Sequence, residues 1–466
     1  MTPDQSTRIS SSYRDPSGFM FFKDGVIYRQ VNRSYQDHYD HLMESGLYET
    51  LTTSGLLISH EEVDGDQAPD LEASTTGYKV LRPEFVPFIS YPYEWSFSQL
   101  KDAALTTLNI QKTALDYGMT MKDSSAYNIQ FLGGKPVLID TLSFEKYNEG
   151  DPWVAYRQFC QHFLAPLALA SYRHIGLNGL LRANIDGIPL DLARTLLPIR
   201  TQLRPSLQIH IHMHGRLQEK SSRDTDAKKL RTKAFPRKSF LGLIDNLEST
   251  IKGFKWRASG TEWVDYYDDD SYTAEGISHK VELVQGFLSE AQPSTVWDLG
   301  ANTGLYSRLA SEMGINTISF DQDPAAVDRN YRKVVEDGEE RILPLVFDLN
   351  NPSPKIGWAN NERMDLADRG PADMLLALAL VHHLAISGNV PLGMVAEYFS
   401  SICDWAVVEF VPKEDPKIQR LLATRVDIFD DYNQAAFEQN FERFFEIRSV
   451  CPIRDSLRTL YLMRRK

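Results

Sequence analysis

The sequence predicts an α/β fold over its C-terminal half: a mostly parallel sheet with helices on both faces, closed by an antiparallel strand pair. Three observations predict it. Val296-Trp297-Asp298-Leu299 reads as a buried strand that runs through Gly300-Ala301-Asn302-Thr303-Gly304 into a helix over 305–313. Seventeen residues beyond Gly304, a second apolar strand at 317–320 ends in Asp321. Strands then alternate with helices to the end of the chain, which is the pattern of a parallel sheet covered on both sides. An α+β region precedes this half.

Bulk properties set the frame. At 466 residues and a prior of about 150 residues per domain, two or three domains are expected. The net charge of −13 argues against generic binding of nucleic acid or anionic membrane by the whole surface. Cys160, Cys403 and Cys451 make neither a disulfide framework nor a zinc site, which fits a reducing cytoplasm. Residues 1–15 are polar and carry no apolar signal segment. No apolar run approaches the roughly 20 residues that span a bilayer.

In chain order, residues 1–16 read as frayed. Residues 19–31 suggest a hairpin turning at Asp24-Gly25. Tyr39, Leu42, Met43, Leu47, Tyr48 and Leu51 recur at helical spacing, so a helix is expected over 35–53. Residues 61–76 are acidic and read as a loop, with strands at 78–81 and 85–89. An amphipathic helix follows over 98–117, capped by Ser98, with Leu100, Ala104, Leu108 and Ala114 on one face.

Next comes a loop with Asp123 and Asn128, a strand, a Gly133-Gly134 turn and a second strand ending at Asp140. The segment resembles the catalytic region of protein kinase-like and aminoglycoside phosphotransferase-like folds. That resemblance implies a hydroxyl-orienting role for Asp123 and Mg²⁺ ligation by Asn128 and Asp140. The chain departs from the pattern in three respects. It has no glycine-rich phosphate loop, no identifiable strand lysine, and Asp140-Thr141-Leu142 where the family has Asp-Phe-Gly. The alternative is a hairpin whose polar residues occupy turns.

Residues 153–200 read as apolar helices. His210, His212 and His214 alternate. In a strand they would share a face suited to a metal; in a helix, His210 and His214 would stack. No carboxylate or cysteine lies near them in sequence, and no metal site is assigned. Residues 216–238 hold nine Lys/Arg against three Asp/Glu, a local charge of +6. This stretch reads as a linker, with a phosphate-contacting patch as the sharper alternative. The expected organisation is therefore an accessory domain at 1–215, a basic linker at 216–238 and a cofactor-binding domain at 239–466. Helices are expected over 239–252 and 279–289, with an aromatic cluster from Trp263 to Tyr272 that would form either a lid or packing.

The chemistry of the second half starts at the glycine loop. Gly300 and Gly304 let backbone press against a ligand, and the following helix offers unpaired N–H groups. Asp298 closes its strand at the carboxyl edge, where open α/β sheets bind ligands. Asp321 stands where an acidic residue binds ribose hydroxyls, so loop and carboxylate together suggest a nucleoside-containing cofactor. Further strands are expected at 342–347 before Asp348, at 374–381 before His382-His383, at 405–410, and as a terminal pair at 445–450 and 458–463. Helices are expected over 325–335, 392–402 and 416–444.

Loop, Asp321, Asp348, His-His end and terminal pair together resemble class I S-adenosylmethionine-dependent methyltransferases, with a Rossmann-like sheet, over roughly 260–466. The tail around Val408-Glu409-Phe410-Val411-Pro412-Lys413, Arg425–Tyr432 and Arg458–Leu462 is similar to nodulation-protein-like bacterial members. The resemblance implies that Asp298, Gly300, Asn302 and Gly304 lie against the methionine part of the cofactor. It places Asp321 at the ribose, Asp348 and Leu349 at the adenine, and 378–383 at the methyl group. His382 and His383 are the candidates for a base or for positioning, because histidine titrates near neutrality. Glu409 ends the fifth strand beside the cleft and is a candidate substrate contact. The acceptor atom and the methyl acceptor itself are not encoded. Two other functions stay open: a kinase-like and methyltransferase pair of activities, and a non-catalytic binding protein on this scaffold.

Overall fold

The computed structural model describes residues 7–63, 76–215, 235–257, 273–423 and 426–466. The basic stretch 216–234 and the aromatics from Trp263 to Tyr272 lie outside them. The described residues fall into two compact units: the first spans Met1–Tyr93, Phe97–Arg257 and Lys355–Arg363, the second Glu94–Ser96, Ala258–Pro354 and Met364–Lys466.

The first unit begins with β1 (Thr7–Arg8), β2 (Gly18–Lys23), β3 (Val26–Asn32), β4 (His60–Val63) and β5 (Gly77–Pro83). They form an antiparallel sheet in the order β1-β2-β3-β5-β4. The β2–β3 hairpin turns at Asp24 and Gly25, both at positive φ, as the sequence indicates. Three expectations are corrected here. Residues 7 and 8 pair with Phe22 and Phe21 instead of fraying. The helix expected over 35–53 is two helices, Gln36–Glu44 and Leu47–Thr53, broken at Gly46 with φ +84°. Residues 61–63 belong to β4, whereas 85–89 form no strand. The 20-residue helix Phe97–Asp116 follows and buries Leu100, Ala104, Leu108 and Ala114. Then come β6 (Met119–Met121), β7 (Ile129–Leu132), β8 (Lys135–Leu138) and β9 (Phe144–Lys146). Gly133 and Gly134 take φ +55° and +72°, the left-handed pair that a tight two-residue hairpin turn requires.

Residues 208–213 are helical, of the wide π type, which settles the geometry of the histidines. His210 is held by the Tyr156 hydroxyl at 2.6 Å and Asn246 Oδ1 at 2.8 Å, and His212 Nε2 meets Thr201 Oγ1 at 2.9 Å. Helix Arg237–Gly253 starts inside the stretch read as a linker; Arg237 pairs with Asp116 at 2.6 Å.

The second unit carries β10 (Thr295–Leu299), β11 (Asn316–Asp321), β12 (Ile342–Val346), β13 (Ala372–Ala377), β14 (Cys403–Phe410), β15 (Phe445–Pro452) and β16 (Thr459–Arg465). Their order is β12-β11-β10-β13-β14-β16-β15. The first five are parallel, and β16 inserts antiparallel between β14 and β15. This is the class I methyltransferase arrangement, with the expected terminal pair. Val296, Met374, Leu376, Val407, Leu460 and Leu462 build the core against helix Ala274–Ala291. The helical stretch expected over 416–444 is two helices, Pro416–Leu422 and Gln434–Phe441. Among the described residues no helix is long and apolar enough to cross a membrane.

Candidate functional site

The sheet reverses direction of strand order between β10 and β13, and ligands of open α/β sheets sit outside the carboxyl ends at that point. The glycine loop is locked there by its neighbour. Gly300 and Ala301 N–H both donate to Phe320 O at 2.9 Å. Asn302 N–H donates to Asp321 Oδ2 at 2.8 Å, and Asp323 N–H to Asp321 Oδ1 at 2.8 Å. Loop and acidic residue are thus one hydrogen-bonded unit. Gly300 (φ +77°), Asn302 (φ +52°) and Gly304 (φ +84°) are left-handed. A Cβ on Gly304 would come within 2.6 Å of the Asn330 side chain.

Asp298 is buried and accepts a 2.6 Å hydrogen bond from Ser307 Oγ. Burial pushes its carboxyl up to about 6, against the pull of Ser307 and Lys280. Asp321 is pushed up to about 6 by the protein packed round it, although part of its surface stays accessible. Asp348 follows β12, whose Val346 pairs with Asp321; Phe347 N–H donates to Asp321 O at 2.8 Å. Asp348 is exposed and accepts from Asn350 N–H at 2.9 Å, with Leu349 beside it.

The fourth-strand end meets the loop directly. The strand stops at Ala377, earlier than the sequence suggests, and Ala379 turns at φ +52°. A Cβ on Gly300 would sit 3.4 Å from Leu380 Cδ1. The His382 and His383 rings lie against each other with centroids 4.0 Å apart and planes tilted by 40°. His382 is 1% exposed, and neither of its ring nitrogens has a hydrogen-bond partner among the described residues. Burial, then His383, Arg458 and Lys417, hold it well below the usual histidine range; burial brings His383 down to about 4. Burial thus favours the neutral form of both rings and weakens them as proton acceptors.

The sequence assigns no site role to Lys280 or Arg458. Lys280, on helix Ala274–Ala291, places Nζ 2.6 Å from Glu409 Oε2 and 4.7 Å from the Tyr306 ring centroid. Arg458, fully buried, reaches Glu409 Oε1 at 3.4 Å and Asp415 Oδ2 at 2.7 Å. Nothing in their sequence neighbourhood marks them, because their partners lie 49, 43 and well over 100 positions away.

In the first unit the kinase-like trio does gather. Asn128 Nδ2 donates to Ser143 Oγ at 3.3 Å. Ser143 Oγ donates to Asp140 Oδ2 at 2.6 Å, and Arg29 Nη1 on β3 stands 2.6 Å from Asp140 Oδ1. Burial, then Asp140, raises Asp123 above the usual carboxylate range. Asp140 is neutralised by a guanidinium from the strand where the sequence offered no lysine. Among the described residues no group of three or more His, Cys, Asp or Glu could hold a metal.

Comparison with known proteins fixes the family. The chain is 36% identical to nodulation protein NoeA of Rhizobium meliloti strain 1021 over 462 residues, covering 98% of this chain and 96% of that protein. This chain belongs to the NoeA family. No protein-family profile matches it. Among solved structures, the bifunctional kinase-methyltransferase WbdD is 16% identical over 45% of this NoeA homologue and 43% of its own chain, at a TM-score of 0.31. The chain thus spans less than half of WbdD. Magnesium protoporphyrin IX methyltransferase from Synechocystis PCC 6803, with bound SAM, is 14% identical over 45% of this chain and 92% of its own (TM-score 0.33). N-methyltransferase NodS of Bradyrhizobium japonicum WM9 is 10% identical over 41% and 97% (TM-score 0.31).

Proposed function

We propose that this NoeA-family chain is an S-adenosylmethionine-dependent methyltransferase and that its first unit contributes to acceptor selection. The observation that carries the reading is the single hydrogen-bonded assembly of Gly300–Gly304 with Asp321, set against a fourth-strand end that presents His382 buried and unpartnered. Buried polar groups are normally satisfied, so an imidazole with two idle nitrogens beyond the carboxyl end of the fourth strand supports a ligand or acceptor as its missing partner.

The residues present fit the cofactor. The loop backbone and the Asp321 carboxylate suit a nucleoside, Asp321 taking the ribose hydroxyls; Asp348 and Leu349 suit the adenine edge. The cofactor supplies an electrophilic methyl group, and the protein's work is alignment and proton removal. His382 offers the acceptor an unpartnered ring nitrogen that can accept a hydrogen bond from it, and an acceptor that lends the ring charge or hydrogen bonds would restore the basicity that burial removes. The His383 ring packs against that of His382 at a tilt of 40°.

The test is transfer of a labelled methyl group from S-adenosylmethionine into extracts of the cells that express the protein. The reading expects label in a specific acceptor from the wild type and its loss in His382→Gln. Equal labelling by the two proteins would remove His382 from the chemistry, and no transfer by the wild type would remove the activity.

A further inference from the structure

Two buried charges of the second unit have no role yet. Lys280 and Glu409 form a 2.6 Å ion pair with side chains 5% and 0% exposed. Glu409 lies near the carboxyl end of β14, and Lys280 reaches it across the ring of Tyr306, in the first turn after the glycine loop. Asp298, which ends the strand before that loop, also acts on the Lys280 charge. The pair therefore lies at the edge that holds the loop.

Burying an ion pair costs desolvation that its attraction seldom repays, and a well-packed apolar pair of equal volume is often at least as stable. Stability alone gives no reason for ions here. Nor is Lys280 needed to balance Arg458. Arg458 makes two contacts with Asp415, Nε to Oδ2 at 2.7 Å and Nη2 to Oδ1 at 3.2 Å, and only a longer 3.4 Å contact with Glu409. An ammonium and a carboxylate side by side, shielded from water, are complementary to a zwitterion. The proposed donor carries one: an α-ammonium and an α-carboxylate at its methionine end.

We propose that Lys280 and Glu409 bind the amino-acid end of the cofactor, Lys280 taking its carboxylate and Glu409 its ammonium. The assignment rests on the methyltransferase reading and extends it to two residues outside the glycine loop. It also gives Glu409 a donor-side role in place of the acceptor contact expected from sequence.

The experiment is calorimetric titration with two ligands. S-adenosylhomocysteine carries the amino-acid end, and 5′-methylthioadenosine keeps the nucleoside and thioether without it. The wild type should prefer S-adenosylhomocysteine. In Lys280→Met and in Glu409→Gln, affinity for S-adenosylhomocysteine should fall about tenfold or more, as loss of a charge-assisted contact demands, while affinity for 5′-methylthioadenosine holds. Lys280→Arg should recover most of the preference. The double variant Lys280→Met/Glu409→Leu replaces the pair by apolar groups and carries the test if a single variant fails to fold. Parallel loss for both ligands, or an unchanged preference, overturns this inference while leaving the cofactor assignment standing. Failure of the wild type to bind either ligand overturns both.

Discussion

Replacing Asp298 by Asn should change how the second unit responds to pH. In the folded chain burial raises this carboxyl from 3.8 to about 6. A carboxyl whose folded pKa lies above its unfolded one keeps its proton longer in the folded state. Between pH 4 and 6, by this reasoning, the folded chain holds the extra proton and stability falls as pH rises. About two pH units at about 1.4 kcal/mol each give a penalty near 3 kcal/mol at pH 7, an upper value because Lys280 and Ser307 relax with the charge. Asn keeps an oxygen to accept from Ser307 Oγ and never pays this penalty. The variant should therefore gain about 2–3 kcal/mol on the wild type between pH 4.5 and 7.5. Scanning calorimetry of both proteins across that range, with the second unit's transition resolved, measures it. A difference between variant and wild type that stays constant with pH would refute the reasoning.

Other substitutions probe separate parts of the account. Glu94 is 1% exposed and takes two hydrogen bonds from Arg369, at 2.8 and 2.9 Å, plus one from Ser353; Glu94→Ala should lower unfolding free energy by about 3–5 kcal/mol in urea titrations, because it strands a buried guanidinium. Gly304→Ala meets both a left-handed φ and the Asn330 side chain, so it should cost at least about 1–2 kcal/mol and weaken cofactor binding, read by melting and titration together. With Arg29 on Asp140, millimolar Mg²⁺-ATP should leave the melting temperature unchanged. A rise that Asp140→Ala abolishes would instead establish nucleotide binding in the first unit.

Much of the second unit was legible because its signals are local. A strand, a glycine turn and a helix announce Asp298–Gly304, and strand spacing finds Asp321, since each element contributes its own ligand-facing end. The hydrogen bond from Asn302 N–H to Asp321 is seen only in the structure. The pairing of Glu409 with Lys280 and Arg458 is different: one helix, one strand and one loop supply a charge each, and only the β14–β16 pairing brings Glu409 near Arg458. In the first unit, the spacing of the histidines at 210–214 left strand and helix both open, and residues 208–213 form a π-helical turn. Gly46 breaks a run whose apolar spacing continues across it. Arg29 was invisible as a partner of Asp140 because the two lie more than 100 residues apart.

The central claim is that the Gly300–Gly304 loop and Asp321 together hold S-adenosylmethionine. Calorimetric titration of the wild type and of Asp321→Ala tests it most directly. The account predicts saturable binding by the wild type and a loss of at least tenfold in the variant, from the charge-assisted bonds a ribose would give Asp321. Absence of binding by the wild type, or equal affinity in the two proteins, would contradict it.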